Sequence, residues 1–240
     1  MLLLTMGGMV SSGLRGLLLG LWGVLGVPWA WAFDPLWSLA QQQAQQAQSW
    51  APREVFRLRV VRDGSGKQRE RREEHLIFAG WEEERPRYQD AKGGKGEFRK
   101  TMAGAELNPF LLRPGVDLVL QGVEGGKEGE IPVRLYRFRQ EHPRWGPMNG
   151  VAKLSEPEGS PLSLEYTLAK LPARVRDFHL ELAFVPCRVG FAVPHELKVK
   201  LHLKAFLMTL LVEVRETYAG WEQRGQGQRC TAAAVAASAP

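Results

Sequence analysis

After Pro52 the hydrophobic period of this chain becomes two, and it stays two through most of the remaining length. Successive side chains of a β-strand point to opposite faces, so this period calls for strands with one apolar and one polar face. Phe56, Leu58 and Val60 alternate with Arg57, Arg59 and Val61. Asp63-Gly64-Ser65-Gly66 then supplies turn chemistry, and a polar return strand runs from about Lys67 to Phe78. The pattern resumes at Val116-Leu118-Leu120, passes a Gly-rich turn from Gly122 to Gly129, and returns through Val133, Leu135, Tyr136 and Phe138. Strands at Gly150 to Leu154 and Leu162 to Thr167 are separated by the turn sequence Glu156-Pro157-Glu158-Gly159-Ser160-Pro161. The strongest alternations come last: Phe178-Leu180-Leu182-Phe184, Leu197-Val199-Leu201-Leu203 and Met208-Leu210-Val212-Val214.

Short strands joined by turn clusters, with no helical pattern between them, predict an antiparallel meander rather than alternating β and α units. One helix precedes them. Asp34-Pro35 offers a side-chain acceptor at the N-cap and a ring preset to helical φ, and Leu36, Ala40, Ala44, Ala47 and Ala51 follow at helical spacing. This helix should end near Trp50-Ala51-Pro52, and its alanine stripe is too small to cover the apolar faces of so many strands. The expected fold is therefore mainly β with an N-terminal helix (α+β), a curved antiparallel sheet forming an incomplete β-barrel. Such a sheet leaves either an apolar groove or a core filled by side chains.

Residues 1–32 stand outside this argument. They contain no acid, one cation (Arg15) and an apolar run from Gly16 to Val27, and Ala30-Trp31-Ala32 places small residues where a signal peptidase needs them. Cleavage after Ala32 is expected, with an uncleaved anchor as the alternative; Pro28 and the glycines of the run disfavour an anchor helix. No Cys lies near the boundary to carry a lipid. The remaining chain reads as one half-barrel domain over residues 33–221 and a flexible Ala/Gln/Gly-rich tail over 222–240. Cys187, in a Pro186-Cys187-Arg188 turn, and Cys230, in that tail, are the only cysteines. They could bridge in an oxidising compartment or remain two free thiols.

The chain of 240 residues carries 32 Lys+Arg against 26 Asp+Glu, a net charge of +6 with the signs interleaved, which is too diffuse for nucleic acid. Catalytic signatures are missing. No Gly-x-Ser-x-Gly elbow occurs, and His195-Glu196 is followed by Val199 where a zinc-protease helix needs His. The pairs Gly66-Lys67, Gly94-Lys95 and Gly126-Lys127 lack the spacing of a phosphate loop. Histidines 75, 142, 179, 195 and 202 are scattered, and Glu73-Glu74 and Glu82 to Glu84 lie in charged stretches that read as solvated surface. The expectation is a protein that is not an enzyme and uses no metal or cofactor. Two basic features stand out. Lys198, Lys200, His202 and Lys204 share one strand face, a candidate for anionic headgroups or an acidic partner, although a solvated outer face gives the same pattern. The second is a hairpin bearing Arg53, Arg57, Arg59, Arg62, Lys67, Arg69, Arg71 and Arg72, tempered by Glu54, Asp63, Glu70, Glu73 and Glu74.

A leader, a helix from Leu36 to Ala51, the hairpin from Phe56 to Phe78 and the later strand series together resemble the periplasmic lipoprotein-carrier superfamily of LolA/LolB-like half-barrels. Asn149-Gly150-Val151-Ala152-Lys153-Leu154, followed by Gly159-Ser160-Pro161-Leu162-Ser163-Leu164-Glu165-Tyr166, is similar to a phrase common in such proteins. The resemblance covers roughly residues 34 to 221. It implies an exported, periplasmic, non-enzymatic carrier whose curved sheet and helical lid hold lipid or lipoprotein acyl chains without a cofactor. In that reading Phe56, Leu58, Val60, Phe178, Leu180, Leu182 and Phe184 line the groove, while Lys198, Lys200 and Lys204 meet an anionic surface. Arg57 and Arg59 lie in a region comparable to the carriers' lid-closing Arg. The alternative is an envelope-sensing or protein-interaction module that docks an envelope membrane protein on the same fold without a lipid ligand.

Overall fold

The computed structural model describes residues 34–93, 108–111, 117–142, 146–187, 189–205 and 208–230, with Ala205 described by its backbone alone. The expected leader and its cleavage site, and residues 231–240 of the expected tail, lie outside the described residues.

Among the described residues one helix, α1 (Pro35–Ala47), precedes eleven strands: β1 (Trp50–Asp63), β2 (Gln68–Glu82), β3 (Arg85–Asp90), β4 (Leu118–Glu128), β5 (Ile131–His142), β6 (Gly146–Ser155), β7 (Pro161–Leu168), β8 (Val175–Cys187), β9 (Phe191–Ala205), β10 (Met208–Gln223) and β11 (Arg229–Cys230). All pair antiparallel in one sheet of order β3-β2-β1-β10-β9-β8-β7-β6-β5-β4, with β11 added beside β10. The two ends of that order do not pair, so the sheet is an incomplete barrel, as the alternation predicts. The chain runs outward through β1, β2 and β3, crosses to the other edge, and meanders back until β10 lies against β1, with Trp50 opposite Gln223.

The helix starts where its cap requires. Asp34 Oδ1 accepts hydrogen bonds from the backbone N–H groups of Leu36 (3.0 Å) and Trp37 (3.3 Å), and Pro35 needs no partner for a missing N–H. It ends at Ala47 rather than near Pro52, because Trp50-Ala51-Pro52 is already paired with Trp221 to Gln223 of β10. Trp37, which the alanine stripe leaves out, is its main anchor: 5% exposed, it packs on Phe110, Tyr136 and Phe138 at ring separations of 4.7, 5.3 and 5.9 Å.

Further differences from the sequence reading have local causes. The Gly-rich segment Gly122 to Glu128 is not a turn but the second half of β4, an edge strand with a bulge between Leu120 and Gly122, and the turn is Gly129-Glu130. β3, with Pro86 and no alternation, gives no periodic signal and still pairs with β2. Cys187 closes β8 instead of sitting in a turn, and Gly190 N–H donates to its carbonyl at 3.0 Å. Part of the expected tail joins the sheet: β10 runs to Gln223, a turn follows over 224–228, β11 (Arg229–Cys230) pairs Cys230 with Trp221, and Cys187 and Cys230 form a disulfide, Cα atoms 5.6 Å apart.

Candidate functional site

The face of the sheet that receives Trp37 is called inner here. Cross-strand partners define its composition directly. One row of opposed residues runs Val123, Tyr136, Ala152, Leu164, Leu182, Leu197, Glu216, Arg57, Glu74 from β4 to β2. It is apolar as far as β9 and charged beyond it. The next row runs Leu120, Phe138, Gly150, Tyr166, Leu180, Val199, Val214, Arg59, Arg72.

From β4 to β8 this face is closed. Phe138, Tyr166, Leu180 and Leu164 are at most 1% exposed, with Phe138 and Tyr166 in edge-to-face contact at 5.4 Å. Gly150 makes room for that ring, since a Cβ there would stand 2.2 Å from Phe138 Cζ. α1 lies over this region. Tyr136 Oη–H donates to Asp34 at 2.7 Å, Gln43 Nε2 donates to the Glu158 carbonyl at 2.9 Å, and Leu39 Cβ would meet a Cβ on Gly159 at 2.8 Å. The glycine at 159, with φ +61°, thus serves both the β6–β7 turn and the close approach of the helix.

From β8 to β1 the inner face is open at one end. Phe178 faces Leu201, Leu201 faces Val212, and Val212 faces Val61; beside them Val175, Leu203 and Leu210 form a second apolar row. Val175, Leu201, Leu203, Leu210, Val212 and Val214 are only half-buried. Next to this strip stands the charged cluster. Glu216 is fully buried, and its carboxylate accepts from Arg57 Nε at 2.6 Å and from Tyr218 Oη at 2.5 Å. Arg57 also reaches Glu74 at 2.9 Å, which in turn pairs with Arg72 at 2.9 Å. Burial works against the Arg57 charge, but Glu216 and Glu74 outweigh it and raise its pKa above the ordinary value. Tyr88, 1% exposed, has a hydroxyl with no hydrogen-bond partner among the described residues, and burial together with the charge of Glu216 holds it protonated. Buried polar atoms are normally satisfied, so Tyr88 Oη is a donor with unused capacity inside the sheet.

The residues expected to line one groove are divided between two faces. Phe178, Leu180, Leu182 and Phe184 are on the inner face, each at most 9% exposed. Phe56, Leu58 and Val60 are on the outer one, since the inner positions of β1 are Val55, Arg57, Arg59 and Val61. Phe56 is 45% exposed and stacks on His75 at 4.2 Å, Leu58 is half-buried opposite Arg215 and Glu73, and Val60 sits buried between Glu213 and Arg71. The lysine stripe falls on the outer face with Leu197 and Val199 inward, as read. It is interleaved with acids: Lys198 pairs with Glu196 at 2.9 Å and Glu181 at 3.9 Å, and Lys200 lies opposite Glu213. Burial raises the Glu196 carboxyl, but Lys198 and Arg215 carry it below its ordinary value. Lys204 alone of the three stands at a strand end. Of the two arginines singled out, Arg57 is the inward ion-pair centre, while Arg59 is nearly half-exposed and 3.9 Å from Glu70.

On the outer face a shallow depression of about 160 Å³ is lined by Arg137, Asn149, Glu165, Thr167 and His179, and a second of about 380 Å³ lies between Gln46, Trp50, Phe191 and Gln228. Among the described residues no three His, Cys, Asp or Glu side chains gather as a metal ion would require. Among them, too, no helix is long and apolar enough to cross a membrane.

No protein-family model matches the chain, and no curated protein matches it. It is similar to a solved structure, a LolA superfamily protein from Nitrosomonas europaea, at 10% identity over 75% of this chain and 93% of that one, with a TM-score of 0.29.

Proposed function

We propose that this chain is an exported, non-enzymatic binder of lipid or lipoprotein acyl chains, held on the inner face between β8 and β1. The observation that supports it is the strip of Val175, Leu201, Leu203, Leu210, Val212 and Val214, apolar and half-buried beside an otherwise closed core. Sites for amphiphiles combine an apolar lining with a few placed polar groups. Here Arg59 and Arg72 stand opposite each other at the edge of the strip, next to Val214, and the Tyr88 hydroxyl has no partner among the described residues. That arrangement suits an acyl chain carrying an anionic head.

Native mass spectrometry of protein purified from its own envelope, with titration of a fluorescent fatty acid, tests this reading. The expected result is co-purifying lipid, and probe uptake that falls at least ~10-fold in Leu201→Glu, since a charge at an apolar contact forfeits the transfer energy of the chain. Protein that carries no lipid and takes up no probe would overturn the proposal and leave protein docking as the use of this fold.

A further inference from the structure

The β1–β2 turn, the adjoining ends of β9 and β10 and the β7–β8 connection lie side by side at one end of the sheet. Lys204 N–H donates to the Arg174 carbonyl at 2.8 Å, Leu203 opposes Val175, Leu210 opposes Asp63, and a Cβ on Gly64 would stand 3.5 Å from Thr209 Cβ. Two large apolar side chains are exposed there, Leu171 of the β7–β8 connection at 43% and Met208 at the start of β10 at 56%. Five exposed cations surround them: Lys67, Lys170, Arg174, Arg176 and Lys204. Elsewhere on the sheet the basic side chains are largely tied to carboxylates, whereas none of these five has an ion pair among the described residues. Of the acids at this end, Asp63 is held by Arg69, Glu213 by Arg62, and Glu70 lies 3.9 Å from Arg59, which leaves Asp177 among the described residues as the counter-charge.

We infer that this end of the sheet docks on an anionic lipid surface, Leu171 and Met208 entering the interface while the five cations meet headgroups. An acidic protein would be served by the cations alone. Exposed apolar side chains at one end of the sheet, set among Lys and Arg that have no ion pair among the described residues, match a bilayer interface, where apolar area and charge add. The contact takes from the outer lysine stripe only Lys204, at the strand end; Lys198 and Lys200 lie beside Glu181, Glu196 and Glu213. The inference does not depend on whether the inner face holds acyl chains.

Sedimentation of the full chain with phosphatidylcholine vesicles, with and without phosphatidylglycerol, tests it. Binding is expected only with phosphatidylglycerol and should weaken as salt rises. Replacing Lys67, Lys170, Arg174, Arg176 and Lys204 by Gln, or Leu171 and Met208 by Ser, should lower the affinity at least ~10-fold with unchanged melting temperature, whereas Lys198→Gln with Lys200→Gln should leave it intact. Because the native cysteines are bridged, Met208→Cys can carry an environment-sensitive dye in an otherwise unaltered protein, and its emission should shift to the blue on these vesicles. Absence of binding, binding indifferent to phosphatidylglycerol, a loss caused by the Lys198 and Lys200 replacements instead, or bound protein with an unshifted dye would each overturn the inference.

Discussion

Glu216 is a charged residue with no exposed surface, and its accounts are balanced by Arg57 and Tyr218 rather than by water. Removing one partner of such a pair leaves the other desolvated and uncompensated, so Glu216→Gln should lower unfolding free energy by about 3–5 kcal/mol, measured by urea denaturation. Arg57→Met combined with Glu216→Leu should recover most of that loss, because apolar replacements carry no desolvation penalty. A double variant no more stable than the single one would show that the pair holds the strands in register and is more than a tolerated charge. Gly150→Ala tests a steric rule instead. The new methyl must displace the Phe138 ring and should cost about 1–3 kcal/mol, relieved in part by Phe138→Leu. At Asp63 the hydrogen bond from Ser65 leads in lowering the carboxyl pKa to about 2, aided by the Lys67 N–H and Arg69. Its pKa is lower folded than unfolded, so its contribution is present above the ordinary carboxylate value of ~3.9 and is lost as pH falls towards the folded value. A carbon-detected titration should find that midpoint, and Asp63→Asn should remove this part of the pH dependence.

At the scale of elements, the strands whose apolar faces meet apolar neighbours were legible. β8, β9 and β10 carry unbroken alternations, and Leu180, Leu182, Leu197 and Val199 point inward as the pattern requires. The same rule inverts β1. Phe56, Leu58 and Val60 look like its core face, yet Arg57 takes that side because Glu74 and Glu216 arrive opposite it from strands 17 and 159 residues away. A local window contains neither the register nor the carboxylates. β11 was equally hidden: two residues have no period, and only the bridge from Cys230 to the end of β8 reveals why they order. The bridge spans 43 residues of sequence, so Cys187→Ala with Cys230→Ala should cost roughly 4 kcal/mol by the loop-entropy relation. Faster amide exchange at Trp221 and Cys230 than in β9 should accompany the loss.

On the scale of the whole molecule, the sheet has two uncapped ends and one interior seam. Among the described residues β3 and β4 each have a neighbour on one side alone, whereas β1, β9 and β10 are paired on both. Backbone opening should follow that order. Hydrogen exchange at equilibrium is expected to be fastest in β3 and β4 and to approach global unfolding in β10, and uniform protection across the sheet would contradict the topology.

The pairing of β1 with β10 also sets a timetable. A ribosome or an export channel releases this chain from its N-terminus, so the first hairpin emerges with one flank of β1 bare and Arg57 lacking Glu216. Its missing neighbour arrives 159 residues after Arg57. Throughout delivery the nascent polypeptide therefore displays a sticky strand edge that only its own distant C-terminal portion can quench. The seam that makes the finished sheet continuous makes the half-made one dependent on speed, or on a holdase, until β10 is delivered.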